Sequence, residues 1–522
     1  MTSYRSLLGV LLLVSLAASD HYHPPRFVPT TLSESTSERT QKYWYQDAKD
    51  GIAGLLRDGL GGRGGRARNL VMFLGDGMSV PTLAAARTLL GQRHNQTGEE
   101  ARLSFEKFPT VGLSKTYCID AQIPDSACTA TSYLCGVKTN IGVIGLSAKV
   151  SMMNCAASMD ASTHLDSIAS WALADGLDVG IVSTARITHA SPAGAYAKTA
   201  NRNWENDAEV RRSFEDPNLC PDIAYQLIHS EPGKKFKVIL GGGRQEFLPD
   251  FKIDEEGSPG KRSDGRNLIE DWKNEKISRN VTYQYVWNRQ QVRNAIANPP
   301  EYLLGLFEAS HLKYNLEANP STEPTLAELT EAAIRTLSRN EKGFFLFVEG
   351  GRIDHAHHDN LVEYALDETI ELSAAVERAT ELLNEEDSLI VVTSDHSHVM
   401  AYNGYSQRGK DILGPSDMRD SDGVPYMTLS YTNGPGFRAQ AAGVRPDVTG
   451  EAEYRAPGWR AHADVPLGTE THGGDDVAVF ARGPHHAMFT GVYEQSQIPH
   501  RMAYVGCLGP GPKFCDRSSD PQ

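Results

Sequence analysis

Short apolar runs alternate with longer amphipathic stretches over most of the chain. Six runs have the composition of strands that are buried on both faces: 70–74, 179–182, 238–240, 344–348, 389–392 and 477–480. Helical periodicity lies between them, near 164–176, 325–339 and 361–384. Strands that alternate with helices of this length predict an α/β fold with a large, mostly parallel central sheet and helices on both faces.

Two segments depart from this alternation. Residues 403–468 are rich in Gly, Pro and Tyr and predict an inserted, crown-like subdomain, so that the main α/β domain comprises 66–402 and 469–515. Residues 43–60 have apolar positions at helical spacing and predict an N-terminal helical arm. A glycine run follows this arm. It lacks the lysine and hydroxyl of a phosphate-binding P-loop, which favours a flexible linker.

The N-terminus has the pattern of a secretory signal. Arg5 precedes an apolar run of 11 residues at 7–17, and small residues at 17–19 offer a cleavage site. The run is too short to span a bilayer, and a buried helix is the alternative. We therefore expect residues 1–19 to be a signal peptide and the protein to be secreted.

The leader, the C-terminal tail and the net charge indicate which kinds of partner the protein can bind. Residues 20–42 predict a flexible leader, and residues 516–522 predict a polar tail without the apolar stretch of a lipid-anchor signal. No later run predicts a transmembrane segment. The formal net charge of −15 argues against nucleic acid as a partner, but a local positive site can still bind a small anion.

Secretion makes the seven cysteines candidates for disulfides, and their odd number leaves at least one thiol unpaired. The expected pairs are Cys118–Cys128, Cys155–Cys220 and Cys507–Cys515. Cys135 is then left over in an apolar context and is predicted to be a buried free thiol. Sequons at Asn95 and Asn280 are candidate glycosylation sites, although such short motifs also match by chance.

Carboxylates and imidazoles follow three of the predicted strands. Asp76 comes after the first run, Glu349 after the fourth, and Asp395 and His396 after the fifth. In open α/β sheets, ligands bind beyond the carboxyl ends of the strands. Clustered carboxylates repel one another unless cations neutralise them. Mixed His and Asp ligands suit zinc, whereas oxygen-only sets suit magnesium.

The alternative for each of these residues alone is a helix cap or a surface position, and only the combination favours a metal centre. Asp354 and His358 strengthen it, because residues four apart share one face of a helical turn. Ser126 precedes small residues at a turn into a helix, where its hydroxyl would meet the positive end of the helix; an ordinary N-cap is the alternative. Arg202 has the geometry for a two-pronged contact with phosphate, and a surface salt bridge is its alternative.

Together these motifs closely resemble those of the animal alkaline phosphatases, over residues 43–515. The combination is highly specific around Ser126, in 349–358 and 395–398, and in Glu470-Thr471-His472. The resemblance implies a phosphoric monoester hydrolase. Deprotonated ligands and zinc-bound hydroxide predict an alkaline optimum, and broad specificity is a hypothesis because nothing in this scheme holds the leaving group by its shape. The resemblance also implies a phosphoserine intermediate on Ser126, phosphate binding by Arg202, and a homodimer embraced by the 43–60 arm.

The resemblance further implies two zinc ions and one magnesium ion, with ligands assigned residue by residue. The first zinc would be held by Asp354, His358 and His472, the second by Asp76, Asp395 and His396, and the magnesium by Asp76, Ser191 and Glu349. His189, His355 and His398 would lie beside these ligands.

Two features depart from the vertebrate members of that family. A calcium-like site matches the carbonyl of Phe307 with Glu308 and Glu323, but Glu323 stands where the family usually has aspartate. The fourth ligand falls in a shorter segment around 254–256 and is not assigned. Cys128 replaces the usual glycine, and its bond to Cys118 would stiffen the turn that carries Ser126.

Two other functional classes share part of this pattern. A sulfatase or phosphodiesterase would use similar metal ligands, but Ser126 lacks the Cys/Ser-x-Pro/Ala-x-Arg context of sulfatases. Related diesterases generally use threonine and lack the Ser191–Glu349 magnesium site. A secreted binding protein on an inactive scaffold would have lost a ligand, whereas every matched zinc and magnesium ligand is present. A phosphate monoesterase is therefore the expectation.

Overall fold

The computed structural model describes residues 37–60, 65–419, 421–456 and 458–516. The predicted signal peptide, most of the leader and glycine run, and residues 517–522 lie outside the described residues. The helices are α1 (Gln41–Arg57), α2 (Val80–Arg93), α3 (Ser126–Cys135), α4 (Cys155–Ser158), α5 (Ile168–Ala174), α6 (Ala190–Ala193), α7 (Asp207–Arg212), α8 (Ile223–His229), α9 (Leu268–Ser278), α10 (Arg289–Ala297), α11 (Leu326–Leu337), α12 (Arg352–His358), α13 (Val362–Leu382) and α14 (Gln497–Gly506).

The strands belong to one large sheet and several small ones. They are β1 (Asn69–Gly75), β2 (Thr110–Lys115), β3 (Asp178–Arg186), β4 (Val238–Gly242), β5 (Tyr283–Val286), β6 (Tyr302–Leu306), β7 (Phe344–Gly350), β8 (Ser388–Ser394), β9 (Ser397–His398), β10 (Met400–Tyr402), β11 (Pro415–Arg419), β12 (Pro425–Met427), β13 (Leu429–Gly434), β14 (Ala463–Pro466), β15 (His472–Gly473), β16 (Val477–Arg482) and β17 (Gly491–Glu494).

The large sheet has ten strands in the order β17-β2-β16-β8-β1-β7-β3-β4-β6-β5. Strand β16 runs antiparallel to both of its neighbours, and the other pairings are parallel. This sheet confirms the predicted α/β fold class. Each of the six predicted runs lies within one of its strands.

Both faces of the sheet are covered. Leu70, Met72 and Leu74 of β1 pack into one hydrophobic core with α3, α5, α8 and α14, while Val71 and Phe73 pack into a second core with α2, α11 and α13. Successive side chains of a strand point to opposite faces, so a strand covered on both sides is apolar throughout. This explains why the central strands read as continuous apolar runs.

Four strands of the sheet were not predicted: β2, β5, β6 and β17. Strands β17 and β5 form the two edges and β2 lies next to an edge. Strand β2 alternates between buried and exposed positions, and β5 and β17 have one buried residue each. Positions that face solvent can be polar, so these strands lack the continuous apolar run from which the central strands were predicted. Strand β6 is fully buried, but it is short and interrupted by Gly305.

The structure also contains the predicted helices and disulfides. Helices α5, α11 and α13 lie within the segments predicted to be helical, and α1 overlaps the predicted 43–60 arm but begins two residues before it. Among the described residues of 403–468, no strand joins the large sheet; β11 to β14 form small sheets instead.

All three predicted disulfides are present, and Cys135 is a buried free thiol. Asn95 and Asn280 are exposed. Within the described part of the chain, each helix is too short or too polar to span a membrane.

Candidate functional site

The carboxyl ends of four adjacent strands, β8, β1, β7 and β3, bring the predicted ligands together. The parallel register pairs Gly75 of β1 with Ser394 of β8, so Asp76 and Asp395 leave the sheet side by side. Glu349 of β7 lies opposite Leu74 in the neighbouring pairing. These strand ends form one edge of the sheet, as expected for an open α/β fold.

Two further elements complete the cluster. Helix α12 starts directly after β7 and places Asp354 and His358 four residues apart on one helical face. The short strands β9 and β15 pair antiparallel, with His398 opposite His472. His472 therefore reaches the strand ends from a distant part of the sequence.

Asp354, His358 and His472 lie at the spacing of zinc ligands. The Nε2 atoms of His358 and His472 are each 3.4 Å from Oδ1 of Asp354 and 3.1 Å from each other. Ligands of a tetrahedral zinc with bonds of about 2.0–2.1 Å lie about 3.3 Å apart. The three residues therefore fit a single zinc ion.

Asp76, Asp395 and His396 form a second cluster of the same kind. Nε2 of His396 is 3.2 Å from Oδ2 of Asp395 and 3.5 Å from Oδ1 of Asp76. The same nitrogen is 3.2 Å from Oγ of Ser126. A cation held by these residues would therefore lie close to the serine hydroxyl.

Backbone carbonyls orient the three histidines of these clusters. Nδ1 of His358 donates to the carbonyl of Glu470 (2.5 Å), Nδ1 of His472 to that of Pro124 (2.7 Å), and Nδ1 of His396 to that of Ser397 (3.3 Å). A carbonyl only accepts, so each Nδ1 carries the proton. Each Nε2 then presents its lone pair to the cluster, which is the state that binds a metal.

Several buried oxygens at the strand ends have no hydrogen-bond partner among the described residues. They are both carboxylate oxygens of Asp76, Oδ2 of Asp354, Oδ2 of Asp395, Oε1 of Glu349 and Oγ of Ser191. Buried polar atoms are normally paired, so this concentration of unpaired acceptors requires an explanation. A set of bound cations provides one, and the oxygen donors of Asp76, Ser191 and Glu349 suit magnesium.

Three carboxyl groups of the cluster, those of Asp76, Glu349 and Asp395, have pKa values above their ordinary range. Burial would also raise the pKa of Asp354, but the neighbouring histidines, His358 first, hold it well below its usual value. Burial, with the Asp395 and Asp354 carboxylates, raises the pKa of Asp76 well above its usual value. Burial raises the pKa of Glu349 to about 7; a hydrogen bond from Ser183 opposes this shift and Asp395 adds to it. Burial also raises the pKa of Asp395. These groups lack compensating positive charge, which divalent cations would supply.

Asp125, and not Ser126, is the N-cap of α3. Oδ1 of Asp125 accepts a hydrogen bond from the Cys128 amide (3.1 Å). Its other oxygen, Oδ2, accepts one from Nη1 of Arg202 (3.1 Å). Ser126 is therefore the first helical residue, and its hydroxyl faces His396. The sequence offered an N-cap role as the alternative for Ser126, and the structure gives that role to the preceding residue.

Two of the three histidines predicted beside the ligands, His189 and His355, lie against each other, and His311 joins them. The ring centroids of His189 and His355 are 5.4 Å apart, and His311 lies 5.5 Å from the first and 4.1 Å from the second. Nε2 of His189 lies 3.2 Å from Nη2 of Arg202. His311 was not predicted as a site residue, because it stands in an irregular segment and belongs to no recognisable motif.

His398 connects two carboxylates. Its Nε2 is 2.7 Å from Oδ1 of Asp354 and its Nδ1 is 2.5 Å from Oε2 of Glu470. Burial alone would lower the pKa of His398, but Glu470 and Asp354 raise it to about 10. The role of Glu470 was also missed, although its tripeptide with His472 was part of the recognised pattern.

The carboxylates predicted for the calcium-like site, and those of the 254–256 segment, form ion pairs with basic side chains. The carboxylates of Glu308 and Glu323 lie 3.4 and 3.3 Å from Nζ of Lys313. In the 254–256 segment, Asp254 and Glu256 pair with Arg244, each at 2.9 Å. A calcium ion held by the Phe307 carbonyl and the two glutamates therefore stays a prediction.

A family model described as alkaline phosphatase matches residues 67–508. The membrane-bound alkaline phosphatase of Bombyx mori is 62% identical over 503 residues, covering 95% of this chain and 92% of the relative. The human tissue-nonspecific isozyme of alkaline phosphatase is 43% identical and covers 92% of this chain and 91% of its own length.

Solved structures agree on the fold. The alkaline phosphatase of the Antarctic bacterium TAB5 aligns with a TM-score of 0.59 at 20% identity, covering 86% of this chain and 100% of the bacterial one. That of Thermus thermophilus aligns with a TM-score of 0.60 at 23% identity, covering 86% and 93%.

Proposed function

The chain belongs to the alkaline phosphatase family and is a phosphoric monoester hydrolase, and from this premise we propose that Ser126 is its nucleophile, working with two zinc ions and one magnesium ion. One observation carries the proposal: Oγ of Ser126 lies 3.2 Å from Nε2 of His396, at the edge of a buried cluster of unpaired carboxylate oxygens. An ordinary structural serine would not require that cluster.

The proposed ligands follow the three groups of donors. Asp354, His358 and His472 would hold the first zinc; Asp76, Asp395 and His396 the second; and Asp76, Ser191 and Glu349 the magnesium. When bound, these cations would withdraw charge from the phosphoryl oxygens and make oxygen nucleophiles at the site more acidic. Their identity and number are part of the proposal.

The proposed reaction has two displacements at phosphorus. Oγ of Ser126 releases its proton to solvent and attacks phosphorus, the ester P–O bond breaks, and the leaving oxygen takes up a proton from solvent to give the alcohol. Water then attacks the phosphoserine and loses a proton, the P–Oγ bond breaks, and the serine oxygen takes up a proton as inorganic phosphate leaves. Ser126 is the first residue of a helix of 10 residues, where the positive end of the helix dipole stabilises negative charge.

Arg202 is assigned to the phosphoryl oxygens. Asp125 and His189 contact its two terminal nitrogens at 3.1 and 3.2 Å, which fixes the guanidinium plane. Since Asp125 directly precedes Ser126, the same carboxylate ties the arginine to the nucleophile. A guanidinium fixed in this way offers donors in the fork geometry that matches a phosphate.

Three substrates test the proposed reaction. We expect hydrolysis of p-nitrophenyl phosphate at a rate that rises above neutral pH, because the Ser126 hydroxyl must lose its proton. The corresponding phosphate diester and sulfate should react at least about 1,000-fold more slowly, because the site is built to bind a dianion. Comparable rates on the diester or the sulfate would contradict the proposal, as would a pH–rate profile that peaks below neutrality.

We also propose secretion and a homodimer that is embraced by the N-terminal arm. Three disulfides indicate an oxidising compartment, although the Bombyx mori relative is named membrane-bound. Light scattering on protein recovered from the medium of expressing cells tests both proposals. The expected mass is twice that of one chain; recovery from the membrane fraction alone, or a monomeric mass, would contradict them.

A further inference from the structure

The segment that precedes the nucleophile is irregular and is closed by a disulfide. Residues 116–125 contain no helix or strand, and Ser126 follows directly. Cys118 at the start of this segment is bonded to Cys128 in α3, over a separation of 10 residues. Both cysteines are 2% exposed, so the bond is protected from thiols in solution.

Three parts of the proposed site are attached to this segment. The Pro124 carbonyl accepts the hydrogen bond of His472 Nδ1 at 2.7 Å. The Asp125 carboxylate accepts those of Arg202 and of the Cys128 amide, both at 3.1 Å. Ser126 is the next residue. A displacement of the segment would therefore move the nucleophile, the arginine and one histidine of the first cluster together.

Single hydrogen bonds hold the rest of the segment in place. The Tyr117 carbonyl accepts from Nζ of Lys138 at 2.8 Å, the Ile119 amide donates to the Thr139 carbonyl at 3.0 Å, and Oδ1 of Asp120 accepts from the Ile141 amide at 2.9 Å. Oδ1 of Asp125 also accepts from the Gly142 amide at 3.0 Å. Gln122 and Ile123 between these anchors are exposed. Each hydrogen bond contributes about 1 kcal/mol net, because water competes for the same groups. The disulfide does not exchange with water and links the start of the segment to the helix that carries Ser126.

We propose that the Cys118–Cys128 disulfide is a positioning element of the phosphatase reaction, holding Ser126 in register with Arg202 and His472. The proposal rests on the proposed role of Ser126. Misplacing reacting groups by about 1 Å can cost about 100-fold in rate, so a small displacement of the segment would be visible in kinetics. The bond is a fixed brace and not a redox switch, since both sulfurs are buried.

The test replaces both cysteines by serine, in the variant C118S/C128S. We expect kcat/KM for p-nitrophenyl phosphate to fall about 10- to 100-fold and the inhibition constant of inorganic phosphate to rise, while the bound zinc content stays that of the wild type. Arg202→Ala provides the reference for lost phosphate affinity. The variant C118A/C128A repeats the test with smaller apolar side chains that suit the buried position.

The matched control is C507S/C515S. That disulfide has a separation of 8 residues, so its removal increases the conformational entropy of the unfolded chain by a similar amount. It joins the end of α14 to the C-terminal segment, and kcat/KM should remain that of the wild type. A purely structural role for Cys118–Cys128 predicts equal losses in both double variants.

The outcomes separate this proposal from the proposed function. A wild type that does not hydrolyse phosphate monoesters contradicts the proposed function. An active wild type with unchanged kinetics in C118S/C128S and C118A/C128A overturns the positioning role alone, as do equal losses in the control. If neither variant folds, C118S/C128G takes their place, because it puts at position 128 the glycine that is usual in the vertebrate family members. Unchanged kcat/KM and phosphate inhibition in that variant then overturn the proposal.

Discussion

Replacing Ser126 by alanine is expected to lower kcat/KM for p-nitrophenyl phosphate by about 1,000-fold or more and to leave the fold intact. Removal of a nucleophile eliminates the covalent route, and the remaining rate comes from direct attack by water on the bound substrate. A factor of 1,000 corresponds to about 4 kcal/mol of transition-state stabilisation. Steady-state kinetics at alkaline pH measures the loss, and circular dichroism checks the fold.

Ser132 provides a matched control on the same helix. It is buried, and its hydroxyl has no hydrogen-bond partner among the described residues, yet it belongs to neither metal cluster. Ser132→Ala removes the same atom from the same element and should retain wild-type kinetics. If Ser132→Ala and Ser126→Ala lose activity equally, the effect comes from helix packing and Ser126 is not the nucleophile.

A covalent intermediate also makes a prediction about products. A phosphoserine formed from any substrate is the same species, so an added alcohol should compete with water in a ratio that does not depend on the leaving group. Measuring phosphorylated alcohol against inorganic phosphate for two aryl phosphates gives that ratio. A ratio that changes with the leaving group would mean that no common intermediate forms.

Sequence periodicity predicted the centre of the sheet and missed its periphery for a physical reason. All seven residues of β1 are buried, which requires a continuous apolar run. Strand β5, at the edge, has only one buried residue, Val286, and its remaining positions are free to be polar. The apolar signal therefore measures burial on both faces, and it fades toward the edges.

The functional site likewise contains residues that could be placed from the sequence and others that could not. Asp76, Asp395 and Glu349 could be placed from sequence because strand ends are recognisable and parallel strands bring them to one edge. The Pro124 carbonyl that orients His472 has no sequence signature, since every residue has a carbonyl. His311 is similar: its position depends on how an irregular segment folds back over β3, and periodicity carries no information about that path.

Removal of divalent cations is expected to abolish activity and to lower the melting temperature by at least about 10 °C. The carboxylates of Asp76, Glu349, Asp354 and Asp395 are buried together, and without cations they repel one another in a medium of low dielectric constant. Binding free energies of about 10 kcal/mol for a zinc ion are free energies of folding when the site exists only in the folded state. In a chain of this size, each kcal/mol corresponds to about 1–2 °C or more.

The experiment compares the loaded protein with protein dialysed against a chelator, using activity, differential scanning calorimetry and metal analysis. The loaded protein should contain two zinc ions and one magnesium ion per chain, and adding both metals back should restore rate and stability together. Glu323→Gln tests whether the predicted calcium-like site contributes to the activity that chelation removes. Glu323 lies beside Lys313 and does not belong to the strand-end ligands. This variant should show the same loss of activity on chelation as the wild type. Chelated protein that keeps its rate and its melting temperature would mean that the carboxylates are neutralised by protons, and the metal centre would have to be abandoned.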